Sequence, residues 1–310
     1  MKVRLTALVL VVVVIAVVAL TTGDDPVPLA TLFGGGDAAD RLVVGMLRLP
    51  RLLAGLFVGA ALGAGGAVFQ SVSRNPLGSP DIVGFDIGAA TSALLVLLVW
   101  HGSAVALGAV AGGVGTALLV YLLAMRRGVR GHRLILVGIG IAAMLSSVNA
   151  FVLTRADVTD AQSAAVWLTG SLNGREWTDI RPILLALPVL LPLALWLGRD
   201  LRMLELGDDT ARALGVGAER TRLAAIVVGV GMTAVATACA GTVTFVALAA
   251  PQVARRLTRV TGPNVLPAAL TGAALLTGAD LAARRLLLPV GVLTGVFGGI
   301  YLAFLLRRAA

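Results

Sequence analysis

Versatile side chains are scarce in this 310-residue chain. One cysteine, Cys239, can build neither a disulfide framework nor a Cys-based zinc site. Two histidines, His101 and His132, leave little for a histidine metal centre, so no metal site is expected. Charged residues make up 13%, too few to cover the surface of a soluble protein of this length. There is no H-E-x-x-H, no phosphate-binding G-x-x-x-x-G-K-[ST] and no nucleophile elbow. An intrinsic ATPase, a protease or another membrane enzyme is therefore disfavoured. What the chain does have is apolar bulk: 58% hydrophobic residues and a mean hydropathy of +0.96. That composition describes an all-α polytopic membrane protein. A net charge of +9 in a soluble chain would suggest nucleic acid. Here the basic residues sit at the ends of apolar runs, where they set membrane orientation, and no nucleic-acid partner is expected.

A spanning helix needs about 20 mostly apolar residues. Charge-free runs cover residues 5–23, 52–73, 87–125, 134–154, 182–198, 223–254, 260–279 and 286–306. The run 87–125 is long enough for two spans and breaks at His101-Gly102-Ser103. The run 223–254 is long for one span and short for two, and Gly241 offers a turn in its middle. The total is nine or ten, and charge decides between them. Ten spans with both termini cytoplasmic put 17 of the 25 basic residues inside, among them Arg126, Arg127 and Arg130. Reading 223–254 as one span leaves 14 inside and 11 outside. The positive-inside rule favours ten. The first run also has the look of a signal peptide, but no A-x-A site follows Leu20, and a retained helix is preferred.

The polar islands between runs are short, so no large soluble domain is present. Outside lie residues 24–51, with Pro26, Pro28 and the Gly34-Gly35-Gly36 triplet, and residues 155–181. The segment Ala164-Ala165-Val166-Trp167-Leu168 is too short to span and reads as interfacial. Inside, the longest island is 199–222. Asp208 or Asp209 can cap a short helix through Leu214, and Gly215 or Gly217 can stop it. Such a helix suits docking onto a partner, and a self-contained loop explains it equally well. Pro76 and Pro80 end the second span, as a plain corner or as a gate hinge. Of the acids, Asp280 precedes Arg284 by four residues, the spacing of a helical ion pair. Asp86 is placed near the cytoplasmic end of its helix, in a cap or interfacial role.

Several motifs occur in order. They are Arg48-Leu49-Pro50-Arg51, Gly59-Ala60-Ala61-Leu62-Gly63 and Arg74-Asn75-Pro76-Leu77-Gly78-Ser79-Pro80-Asp81-Ile82-Val83-Gly84. Later come Leu206-Gly207-Asp208, Leu214-Gly215-Val216, Phe245-Val246-Ala247-Leu248 with Pro251, and Leu288-Pro289-Val290-Gly291. Together, over residues 41–308, the chain resembles the permease family of bacterial ABC importers for iron–siderophores, haem and cobalamin (FecCD-type). Two departures stand out. Gln252 follows Pro251 where the family usually has histidine, and the last helix reads Gly295-Val296-Phe297-Gly298-Gly299-Ile300-Tyr301. That helix and Trp167-Leu168-Thr169-Gly170-Ser171-Leu172-Asn173-Gly174 look most like one subunit of the heterodimeric ferric-enterobactin permeases.

The resemblance implies a type II ABC importer permease fold of ten spans in the bacterial cytoplasmic membrane. Residues 1–310 would form a single transmembrane permease domain, with 199–222 as its cytoplasmic coupling segment. The chain would be a transport subunit binding no cofactor, with ATP and Mg on two partner ATPase chains. A second permease, by preference a different chain, and an extracytoplasmic binding protein complete the expected assembly. The cargo implied is a ferric siderophore of catecholate type, with haem or cobalamin as alternatives. Contact with the ATPases falls to Leu206, Gly207, Asp208, Asp209, Ala211, Arg212, Leu214, Gly215, Val216 and Gly217. Arg48, Arg51, Arg284 and Arg285 would receive acidic residues of the binding protein, unless they bind lipid headgroups. Met144, Ser147 and Asn149 of the fifth span would line the path, unless they are packing contacts. The rival class is an ion-coupled secondary transporter, which needs ionisable groups or broken helices at the midplane.

Overall fold

A computed structural model describes residues 2–23, 26–35, 37–81, 83–100, 104–124 and 131–309. The expected turn at His101-Gly102-Ser103, Ile82 of the proline-rich motif, and Arg126, Arg127 and Arg130 lie outside the described residues. Among those described, the regular structure is helical throughout. The amino-terminal third contains α1 (Lys2–Thr21), α2 (Ala38–Leu42), α3 (Leu49–Ser73) and α4 (Phe85–Leu94). It continues with α5 (Val105–Ala124), α6 (Gly131–Arg155) and α7 (Val158–Thr169). The remainder is α8 (Trp177–Glu205), α9 (Asp208–Ala213), α10 (Ala218–Ala240), α11 (Val246–Thr258), α12 (Val265–Leu286) and α13 (Val290–Ala309). π-Helical turns at Val43–Arg48 and Leu95–Val99 lead into α3 and extend α4.

Among the described residues, seven helices are long and apolar enough to cross a membrane, while Phe85–Val99 and Val290–Phe304 are shorter. The run 87–125 divides into α4 and α5, and the run 223–254 divides at Gly241 as expected. Gly241 ends α10 at φ 75°, and α11, with 13 residues, begins five residues later at Val246. A break among apolar helices frees backbone groups that must find partners within the protein. The end of α7 and the segment after it meet the break and satisfy one of them, Ala240 O. Ser171 N–H donates to Ala240 O (2.8 Å), Gly291 N–H to Gly170 O (3.0 Å), and the Thr242 hydroxyl to Leu168 O.

The core lies around α3, which is buried along most of its length against α8, α10, α11 and α12. Small residues permit this closeness. A methyl group on Gly59 would overlap the Gly272 carbonyl, and one on Gly272 the Gly59 carbonyl. α1 packs on α12, and Arg4 Nη1 donates to Thr258 O at 2.7 Å. Its remaining surface is mostly exposed and apolar, as a lipid-facing helix requires.

The α3–α12 contact is directly testable. Gly272→Ala should destabilise the detergent-solubilised protein by about 1–3 kcal/mol, the usual cost of overpacking. Gly198→Ala, where a new methyl meets nothing within 4 Å, should leave the melting temperature unchanged or raise it. Equal melting temperatures for both variants would contradict the packing account.

Candidate functional site

Three polar places interrupt the apolar body. At one end of the molecule, arginines gather around one acid. Asp280, 2% exposed, accepts Arg51 Nη2 at 2.8 Å and Arg51 Nε at 2.9 Å on its two oxygens, and Arg284 Nε at 2.9 Å. The expected Asp280–Arg284 pair is present, and Arg51 joins it from α3. Arg51 also reaches Asn173 Oδ1 at 3.0 Å. Arg48, 8% exposed, donates to Leu20 O at 2.8 Å. Three of the four arginines singled out in the sequence thus hold α1, α3 and α12 together, and line a cavity of about 540 Å³. Arg285 is exposed and makes no ion pair among the described residues.

At the opposite end of the helices lies α9. Leu206 and Leu214 are exposed on either side of it, while Ala211 is buried beneath. Neither Asp208 nor Asp209 caps the helix, contrary to expectation. The N-cap is Gly207, at φ 114°, with no side-chain hydrogen bond. Asp208 instead accepts Arg222 Nη2 at 3.0 Å and also pairs with Arg74. Burial alone would raise the Asp208 carboxyl, but the Arg222 and Arg74 guanidiniums outweigh it and hold it below the usual carboxylate range. The link is therefore present at neutral pH and is lost only as pH falls through that lowered value. Asp209 pairs with Arg212 at the surface, a contact of little energetic consequence. Gly215 ends the turn at φ 82°, whereas Gly217 has an ordinary φ of −73°. Of the two glycines, Gly215 is the one the backbone requires.

The third place is a cavity of about 510 Å³ where α4, α6 and the start of α11 meet. Its wall includes Asp81, Asp86, Ser146, Asn149, Thr244 and Phe245. Asp86, expected in a cap or interfacial role, serves a helix start and is buried. It is 5% exposed in the first turn of α4, and its Oδ1 accepts the Ile87 N–H at 2.8 Å. Neighbouring Gly84 and Gly88 pack on Ala142 of α6 and Thr116 of α5, halfway along those helices. α4 therefore starts inside the molecule. Asp81 Oδ2 accepts the Phe245 N–H at 3.2 Å. Of the three path residues expected on α6, Met144 and Ser147 share an exposed face, while Asn149 is buried and lines this cavity. Gln252, the departure from histidine, donates to Pro76 O at 2.8 Å.

Sequence reasoning missed Arg74, Asp81, Arg222 and Asn173. Arg74 and Asp81 stood inside a quoted motif, but nothing local reveals partners more than a hundred residues away.

Comparison with known proteins places the whole chain. The profile of the FecCD transport family matches residues 5–308. The ferric enterobactin transport system permease protein of Escherichia coli (strain K12) is 48% identical, over 89% of this chain and 86% of that protein. The iron(3+)-hydroxamate import system permease protein of Bacillus subtilis (strain 168) is 37% identical, over 97% and 95%. A solved inward-facing conformation of a metal-chelate type ABC transporter superposes with a TM-score of 0.87. It is 28% identical, covering 99% of this chain and all of that one.

The arginine cluster generates its own test. Asp280→Asn removes the one carboxylate that Arg51 and Arg284 share, leaving two partly buried guanidiniums uncompensated. The expected loss is about 3–5 kcal/mol, read as a large drop in melting temperature in detergent. Asp160→Asn, at an exposed site on α7, should change little. A melting temperature unmoved by Asp280→Asn would show that the cluster does not hold the three helices together.

Proposed function

The chain belongs to the FecCD transport family, and on that premise we propose that it is one of two permease chains in an importer that moves a ferric siderophore into the cytoplasm. It is a transport subunit and not an enzyme, and ATP with Mg acts on separate ATPase chains. The observation that carries this reading is the near full-length likeness to a ferric enterobactin permease, which favours a catecholate cargo. The resemblance at Trp167–Gly174 and in the last helix favours a second, different permease as partner.

In this reading the seven long helices and the shorter α4, α11 and α13 make ten membrane segments in one domain, residues 1–310, of the bacterial cytoplasmic membrane. Both termini are cytoplasmic. The α9 side is cytoplasmic, in keeping with the basic residues 199, 202, 212, 220, 222, 255, 256 and 259 gathered there. Residues 199–222 are the coupling segment. Leu206, Leu214 and Arg212 offer an apolar and charged surface to an ATPase, and Gly207, Asp208, Ala211, Gly215, Val216 and Gly217 give it shape. On the outer side Arg285 meets the acidic surface of a binding protein, with Arg48, Arg51 and Arg284 as the positive floor beside it. The path runs along α6, past Met144 and Ser147 and the cavity at Asn149. Closure of the ATPases shifts α9, and the helices expose that path alternately to the two sides.

The ion-coupled alternative draws on Asp81 and Asp86. Each already accepts a backbone N–H at a helix start, a structural role that needs no transported ion.

Two measurements test the proposal. In membrane vesicles containing this chain with its co-expressed permease, ATPase and binding-protein neighbours, uptake of a ferric catecholate should require ATP and survive a protonophore. Uptake that follows a proton gradient without any ATPase would sink the reading. Gly215→Val should lower that uptake about tenfold, the equivalent of about 1–2 kcal/mol of left-handed strain. Insertion and capture of the binding protein should be unchanged. Normal uptake by Gly215→Val and by Arg212→Glu would reduce the 207–217 turn to a mere connection.

A further inference from the structure

Two interruptions of the helices face each other inside the molecule. α3 ends at Ser73, Arg74 turns into the left-handed region at φ 49°, and the chain then runs to the start of α4 at Phe85. α10 ends at Ala240, and residues 241–245 lead to α11. The two meet where Asp81 Oδ2 accepts the Phe245 N–H at 3.2 Å. Phe245 is bulky and sits at φ 65°, a conformation that costs about 1–2 kcal/mol in an L-residue. Something must hold it there. The Asp81 carboxylate does so from one side, and Gly298 of α13 leaves room for the phenyl ring on the other. Among the described residues, Asp81 spends no side-chain bond on its own loop, and its Oδ1 is buried without a partner.

The other end of the same segment is fastened to α8 and α9. Arg74 Nε donates to Leu204 O at 2.8 Å, and its Nη2 pairs with Asp208, the first residue of α9. Between the ends, Gln252 of α11 donates to Pro76 O at 2.8 Å. The stretch is stiff by its own chemistry. Pro76 and Pro80 restrict two φ angles. The Asn75 side chain accepts the Leu77 N–H at 2.9 Å, and its carbonyl accepts the Gly78 N–H at 2.9 Å. A corner that only joined two helices would need neither distant anchor.

We propose that residues 74–81 are a stiff tie that carries displacement of α9 to the start of α11, and so to the cavity wall, with Arg74 and Asp81 as the positioning residues at its ends. The tie rests on the reading of α9 as the element moved by an ATPase. It assigns Arg74 to grip α9 beside Arg222, and Asp81 to set the direction of the Phe245 N–H and ring at the cavity. What each controls is how much of the α9 movement arrives.

The test is the number of siderophore molecules moved per ATP hydrolysed by the whole complex in liposomes, with both permeases, the ATPases and the binding protein present. Arg74→Gln and Asp81→Ala should each lower that ratio about tenfold, in the ordinary range of coupling between sites. Arg222 still pairs with Asp208 when Arg74 is replaced, and Asp81 lies away from α9, so ATP hydrolysis and recovery of assembled complex should stay at the unmodified level. Asp81→Asn keeps a carbonyl oxygen for the Phe245 N–H and should restore most of the ratio. The double variant Arg74→Gln/Asp81→Ala should be no worse than the poorer single one, because a tie cut at one end loses nothing more at the other. Losses that multiply to about a hundredfold in the double variant would mean independent sites and overturn the tie. So would an unchanged ratio, or a loss of assembly, hydrolysis and transport together in both Asp81→Ala and Asp81→Asn. If the unmodified complex shows no ATP-driven uptake, the functional reading fails, and the tie falls with it.

Discussion

The hydrogen bond from Phe245 N–H to Asp81 is the contact on which the interior of this protein depends. Backbone groups freed among apolar helices have no water to turn to and must be satisfied by the protein itself. This fold interrupts its helices in two places, before α4 and before α11, and sets the interruptions against each other. One carboxylate then serves an N–H that the start of α11 leaves unpaired. The Asp86 carboxylate serves the first turn of α4 in the same way. At the other end of the break, the segment after α7 takes up Ala240 O. The result is a cavity bordered by short helix starts that carboxylates help to satisfy, enclosed by long helices whose glycines let backbones touch.

Charge is divided between the two ends with different purposes. Around Asp280 the arginines outnumber the acid, so one buried carboxylate gathers three helices and still leaves positive charge at the surface. Around Asp208 two arginines from α3 and α10 hold one acid of a six-residue helix, fixing a turn too short to be stable alone. The Asp280 pairs are buried and those of Asp208 partly exposed, and such pairs are weak evidence for stability; both join elements distant in the chain. Here they fix the elements that a binding protein outside and an ATPase inside would need to find in place.

Much of this was legible from charge-free runs alone. They located the long helices, and Gly241 marked the break in the run 223–254 because only glycine turns so sharply without strain. The i,i+4 spacing announced Asp280–Arg284, and the glycine after Leu214 announced the end of the α9 turn. Depth was not legible. An apolar run shows that a segment is lipid-compatible but not where its helix begins, so the sequence offered Asp86 a cap or interfacial role without showing that it is buried. Partnership across the chain was equally hidden. Arg51 looked available for docking because its acid, Asp280, lies far away in sequence, and Asp208 looked like a cap because Arg74 and Arg222 could not be placed beside it.

The central claim is that the cavity between the short helices belongs to a path opened alternately to the two sides by ATP. Ser146, exposed on the cavity wall, can carry the probe, since the native Cys239 is buried. In oriented vesicles holding the whole complex, Ser146→Cys should react with a membrane-impermeant thiol reagent from one side without nucleotide. With ATP trapped on the ATPases it should react from the opposite side. Reaction from the same side, at the same rate, in both states would contradict the account.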